Sequence, residues 1–134
     1  MTLTSLDTRY DAPDDTTIAA VLAGLDGDRH VLATLGPSDL TYVQASGSVA
    51  AGFALDYQEG SIERHFRSRA TDLSLAVVTG IFLKYARADD SWRDGIDWVH
   101  APHVPGRTHW FSTWPGFVLV LLVVIVLIWL WRGP

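Results

Sequence analysis

The chain has 134 residues, with ten Lys or Arg and fifteen Asp or Glu, for a formal net charge of −5. It contains no cysteine, which excludes disulfides, thiolate zinc sites and a cysteine nucleophile. Residues 1–113 hold nine of the basic residues and all fifteen acids, so their net charge is −6. This acidic balance argues against nucleic acid as a partner.

The first predicted elements are an N-terminal arm and an amphipathic helix. Residues 1–13 show no clear period, so we expect a flexible arm. Asp14 or Asp15 can cap the helix that follows, and Gly24 and Gly27 end it. Its apolar face consists of Ile18, Val21, Leu22 and Leu25.

Four extended segments follow this helix. Residues 30–35 are short and apolar, and residues 40–45, 53–58 and 62–67 alternate in polarity, with turn-forming residues between the segments. A loop of two or four residues would pair Tyr57 with Ile62 and Phe53 with Phe66 on one face. The pattern predicts a four-stranded antiparallel meander.

A second helix is predicted after the meander. Thr71 and Asp72 are suitable caps. The apolar stripe consists of Leu75, Val78, Phe82 and Tyr85, and a short helix with Trp92, Ile96 and Trp98 can follow. The expected fold class is α+β: a helix, a four-stranded antiparallel meander and a helix in a soluble domain over residues 14–100, followed by a single C-terminal transmembrane helix.

Residues 14–98 also carry a resemblance. The runs TYVQASG, GFALDYQEGS, RHFRSRA, FLKYARADDSW and IDW resemble small bacterial α+β domains. They are loosely similar to immunity proteins of polymorphic-toxin systems, which share a strand meander, a following helix and a late tryptophan. The resemblance implies no catalytic residues. Members of that group are usually soluble, so a membrane anchor departs from the pattern.

The C-terminal part is predicted to anchor the chain in a membrane. Residues 101–113 form a Pro/Gly juxtamembrane linker, residues 114–131 an uncharged span and residues 132–134 a short tail. Eighteen helical residues measure about 27 Å, close to the hydrocarbon thickness of a bilayer. A buried core helix is the alternative, but a small domain cannot cover a helix that is apolar all round. The expected interfacial anchors are Trp110, Phe111, Trp114, Trp129, Trp131 and Arg132.

The expected location is the bacterial inner membrane, with one pass and a tail anchor. No apolar signal region is found at the N-terminus, so the soluble domain is expected in the cytoplasm. One face of the span could dock on another protein's helices or could face lipid. That face consists of Val118, Leu122, Ile125 and Trp129.

Two side-chain groups are candidate sites. One group has side chains that can ligate a metal: Asp97, His100, His103 and His109. Prolines between these residues make a solvated linker the simpler interpretation, and a third interpretation is a pH-sensitive contact with lipid or a partner. His65, Arg67 and Arg69 form a basic stripe that could dock an acidic protein surface or anionic headgroups. Pairing of the stripe with Asp56 is the alternative.

The sequence therefore predicts a non-enzymatic, membrane-anchored interaction module. It would be an accessory or assembly subunit of a larger inner-membrane complex, such as a respiratory or photosynthetic one. The expected partners are membrane lipid and other transmembrane proteins, with no nucleic acid, small-molecule substrate, metal or cofactor. The alternative is a membrane-tethered, immunity-like protein that binds a toxin.

Overall fold

A computed structural model of the chain describes residues 1–101. Within these residues, seven strands form one antiparallel sheet, and two helices cover one face of it. The strands are β1 (Thr2–Ser5), β2 (Thr8–Asp11), β3 (Leu32–Ser38), β4 (Thr41–Ser48), β5 (Gly52–Glu59), β6 (His65–Ser68) and β7 (Trp98–His100). The helices are α1 (Asp15–Ala23) and α2 (Leu75–Ala86), with a 3-10 helix at Asp90–Arg93. The strand order across the sheet is β2-β1-β3-β4-β5-β6-β7.

The predicted fold class is wrong. It foresaw a helix, a four-stranded meander and a helix, followed by a single C-terminal transmembrane helix. The described residues instead form a seven-stranded sheet in which a hairpin precedes α1 and a strand follows α2. Within residues 1–101, no helix is long and apolar enough to cross a membrane. The span predicted at residues 114–131 lies outside the described residues.

The expected N-terminal arm is the hairpin β1–β2. Leu3 is fully buried, and it pairs with Tyr10 on one side and with Leu35 of β3 on the other. The hairpin was missed because each strand has only four residues and its main partner, β3, follows α1 in the chain. Local periodicity carries little information about such a distant pairing.

Both helices have a side-chain cap and a buried apolar face, but the expected cap of α2 is wrong. The Asp14 carboxylate accepts the Thr17 N–H at 2.7 Å and caps α1, whose Ile18 and Leu22 are buried. Helix α2 is capped by Ser74 rather than by Thr71 or Asp72, and buries Val78, Ile81 and Phe82. Phe53, Leu55 and Val43 from the sheet complete a core between the sheet and the helices.

The predicted β5–β6 pairing was also wrong. The strands pair Tyr57 with Phe66, whose rings stack at 4.7 Å, while Ile62 lies exposed in the connecting loop. Trp92 and Trp98 meet the Tyr57 ring edge-on at 5.0 and 4.7 Å. This aromatic cluster sets the register, because side-chain pairs of this kind stabilise one alignment over its neighbours.

Candidate functional site: the uncovered sheet face

The face of the sheet opposite the helices is not covered by any element of residues 1–101. We call it the outer face. The register aligns one side chain from every strand across it in a single row. That row consists of Arg9, Thr4, Thr34, Gln44, Asp56, Arg67 and Val99. Six of the seven are polar, which is what side-chain alternation produces on an open face.

Hydrogen bonds within the row hold its side chains in place. The Thr34 hydroxyl donates to Gln44 Oε1 at 3.0 Å, and Arg67 Nε donates to Asp56 Oδ1 at 2.8 Å. The Asp56 side chain is only 7% exposed, although it lies on the outer face. Since a buried carboxylate is costly without a partner, Arg67 stabilises it there.

A second row lies beside the first. The Tyr42 hydroxyl donates to Gln58 Oε1 at 3.4 Å, and Gln58 pairs with His65 across the strands. Burial, and then the nearby Asp56 carboxylate, raise the pKa of Tyr42. The phenol therefore remains a hydrogen-bond donor at neutral pH.

A polar groove of 410 Å³ opens on this face above Gly36. A Cβ at Gly36 would lie 2.3 Å from the Thr41 carbonyl oxygen, so β4 approaches β3 closely at this point. Thr2 and Arg9 form one wall of the groove, and Tyr42 lies on the opposite side. The hydroxyl, amide and guanidinium groups that line this groove can hydrogen-bond to the polar surface of a partner.

The predicted basic stripe divides in the structure. His65 and Arg67 lie on the outer face, and Arg69 follows β6. Arg67 pairs with Asp56, as the alternative interpretation foresaw, and Arg69 Nε contacts Asp97 Oδ2 at 2.5 Å. The His65 side chain is 12% exposed; its Nδ1 lies 2.6 Å from the Ala101 carbonyl oxygen and its Nε2 3.5 Å from Asp56 Oδ1. The docking role of the stripe stays a prediction.

The candidate metal ligands lie only partly in the described chain. Asp97 contacts Arg69, and His100 Nε2 donates to the Glu63 carbonyl oxygen at 2.6 Å. His103 and His109 lie outside residues 1–101, as do the predicted membrane anchors and helix docking face. Over residues 1–101, no three His, Asp or Glu side chains are grouped so that they could hold a metal ion.

Sequence reasoning missed the Thr and Gln side chains of the row. Alternation in residues 40–45 indicates a strand, but it gives no reason to place Thr4 or Thr34 beside Gln44. Only the pairing of β1 with β3 brings these residues together.

No protein-family model, no curated protein and no solved structure matches the chain.

Proposed function

We propose that this chain is a non-enzymatic, membrane-anchored interaction module whose outer face docks a protein partner. It would act as an accessory or assembly subunit of a larger bacterial inner-membrane complex. The observation that carries the proposal is the row of side chains across the seven described strands, six of them polar, on a face that neither described helix covers. The apolar run at residues 114–131 supplies the anchor in this proposal.

The size of the outer face suits a protein partner. Six inter-strand spacings of about 4.8 Å give a width of about 29 Å. That width is comparable with the dimensions of a typical interface, which buries about 800 Å² on each partner.

The chemistry of the face also suits docking. Arg9 Nε lies 3.0 Å from Asp11 Oδ1, and Arg67 pairs with Asp56, so most charges on the face are compensated within the domain. Recognition would therefore depend on hydrogen bonds and shape more than on net charge. Side chains already held by internal hydrogen bonds lose little conformational freedom on binding, which favours affinity.

Co-purification tests the proposal. The full chain, extracted from its native host in mild detergent, should migrate with another membrane protein. Thr4→Glu places a larger, charged side chain on the outer face and should abolish this co-migration, because such a side chain is costly to desolvate in an interface. Thr16→Glu is the matched control, since Thr16 is an exposed residue of α1 on the other side of the sheet. A chain that migrates alone, or a partner that Thr4→Glu retains, refutes the proposal.

Membrane location and orientation have a separate test. Protease added to intact spheroplasts should leave the domain uncut if it faces the cytoplasm, and lysis should expose it. Cleavage in intact spheroplasts would place the domain and its partner outside the cytoplasmic membrane.

A second candidate is an immunity-like protein that neutralises a toxin. Residues 1–101 contain eight basic residues and fifteen acids, a net charge of −7 that would suit a basic target. The late tryptophan of the resemblance, Trp98, lies in the last strand of the sheet. Protection on co-expression with a toxin encoded by a neighbouring gene would favour this candidate, and loss of viability would count against it.

A further inference from the structure

The first observation concerns β2, which lies at the edge of the sheet and, within residues 1–101, pairs only with β1. The Ala12 N–H donates to the Met1 carbonyl at 3.0 Å. Because hydrogen-bonded pairs alternate along an antiparallel ladder, the backbone N–H and C=O groups of Arg9 and Asp11 point away from β1. Such a row of free groups can pair with another extended chain.

A groove lies directly beside this edge, on the helix side of the sheet. It measures 330 Å³, with Thr8 and Tyr10 of β2 on one side and Ala20, Val21 and Gly24 of α1 on the other. Tyr10 and Val21 pack against the core and give the groove an apolar wall. Side chains of an added strand alternate, so every second one would enter the groove.

The charges around the groove select among extended chains. Residues 7–30, which include β2, α1 and the loop after it, contain six Asp and two Arg, and Arg87 pairs with Asp15, which leaves a net charge of −3. Asp7 and Asp28 are exposed beyond one end of the groove, and Asp14 caps α1 at the other. A peptide with basic residues at its ends complements this surface.

We infer that the β2 edge and the groove beside α1 form a binding site for an extended peptide. The peptide adds an eighth strand next to β2, inserts apolar side chains at alternate positions and carries basic residues at its ends. This mode combines main-chain hydrogen bonds for affinity with side-chain pockets for specificity. The groove lies on the helix side of the sheet, and Arg9 contributes its backbone to this edge and its side chain to the outer face. Peptide binding and co-migration with a membrane protein are separate measurements, so this site and the proposed function can fail independently.

Peptide binding to the full chain in mild detergent tests this site. The probe is a degenerate heptapeptide pool, Lys-x-Thr-x-Thr-x-Lys, in which x is Ala, Val, Ile, Leu or Phe. Arg9→Pro removes an outward N–H, and an edge strand tolerates proline there. Arg9→Ala is the matched control, because it removes the same side chain and keeps the N–H.

The wild type and Arg9→Ala should bind the pool, while Arg9→Pro should bind it at least about tenfold more weakly, a difference of about 1.4 kcal/mol. A pool with Glu in place of both Lys should also bind at least about tenfold more weakly. Amide shifts on binding should fall on β2 and the C-terminal half of α1. Absence of binding by the wild type, or equal binding by Arg9→Pro, overturns the site. Self-association that Arg9→Pro abolishes would assign the edge to a second copy of the chain instead.

Discussion

Leu3→Ala should destabilise the domain substantially, although Leu3 lies near the N-terminus. Its side chain is 0% exposed and lies between Tyr10 and Leu35 in the sheet. The substitution removes three buried carbons at about 0.8 kcal/mol each, or about 2.4 kcal/mol of transfer free energy. The cavity that remains adds to this cost, which gives a loss of about 3–4 kcal/mol in the free energy of unfolding, within the range of about 2–5 kcal/mol for buried leucines.

Urea denaturation of residues 1–113, monitored by tryptophan fluorescence, measures this loss in the free energy of unfolding. Leu6→Ala is the matched control, because Leu6 lies in the turn of the same hairpin and is 55% exposed. It should change the free energy of unfolding by less than about 0.5 kcal/mol. Equal and small effects of the two substitutions would refute the assignment of the hairpin β1–β2 to the sheet.

Three further substitutions test the core, a buried hydrogen bond and a loop. Phe82→Ala should lower the free energy of unfolding in urea by about 3–5 kcal/mol, because Phe82 is fully buried in α2. Val77→Ala, on the exposed side of that helix, should change this free energy little, and similar losses for the two variants would contradict the core assignment. Ser68→Ala should lower the free energy of unfolding by about 1–3 kcal/mol, because Ser68 Oγ accepts a hydrogen bond from the buried Leu55 N–H at 2.9 Å. Ser38 is exposed, so Ser38→Ala is the control, and an equal loss in the two variants would exclude a role for the hydrogen bond. The Asp28, Arg29 and His30 N–H groups lower the pKa of Asp26 from 3.8 to about 2. The stabilisation by the Asp26 carboxylate should be present above about pH 4 and lost as the pH falls from about 4 to about 2. The urea midpoints of the wild type and Asp26→Ala should therefore converge in this pH range, and a difference between the midpoints that does not change with pH would contradict the prediction.

The helices were predictable because their signals are local. Capping by Asp14 and closure by Gly24 depend on residues within one or two turns of each other. The apolar positions of α2 recur at helical spacing, so Val78 and Phe82 could be assigned to its buried side in advance. Even there the cap was misplaced, since Thr71, Asp72 and Ser74 have similar capping propensities and only the fold selects Ser74.

The strand count and the register depended on distant contacts. Strand β1 pairs with β3 across α1, and β7 pairs with β6 across α2, so the residues next to these strands in the chain do not indicate those two pairings. The β5–β6 alignment is decided by the packing of Tyr57 and Phe66 with the two tryptophans, not by the length of the loop.

The candidate sites follow the same division. Composition shows that the chain is acidic and lacks cysteine chemistry, and alternation in residues 40–45 indicates a strand. The row of Thr4, Thr34 and Gln44 exists because distant strands pair, and the groove beside α1 exists because α1 packs next to the edge of β2. Side-chain alternation assigns a residue to one face of its own strand, but the neighbours of that residue across the sheet depend on which strands pair. Strand pairing in turn is selected by the packing of the whole core.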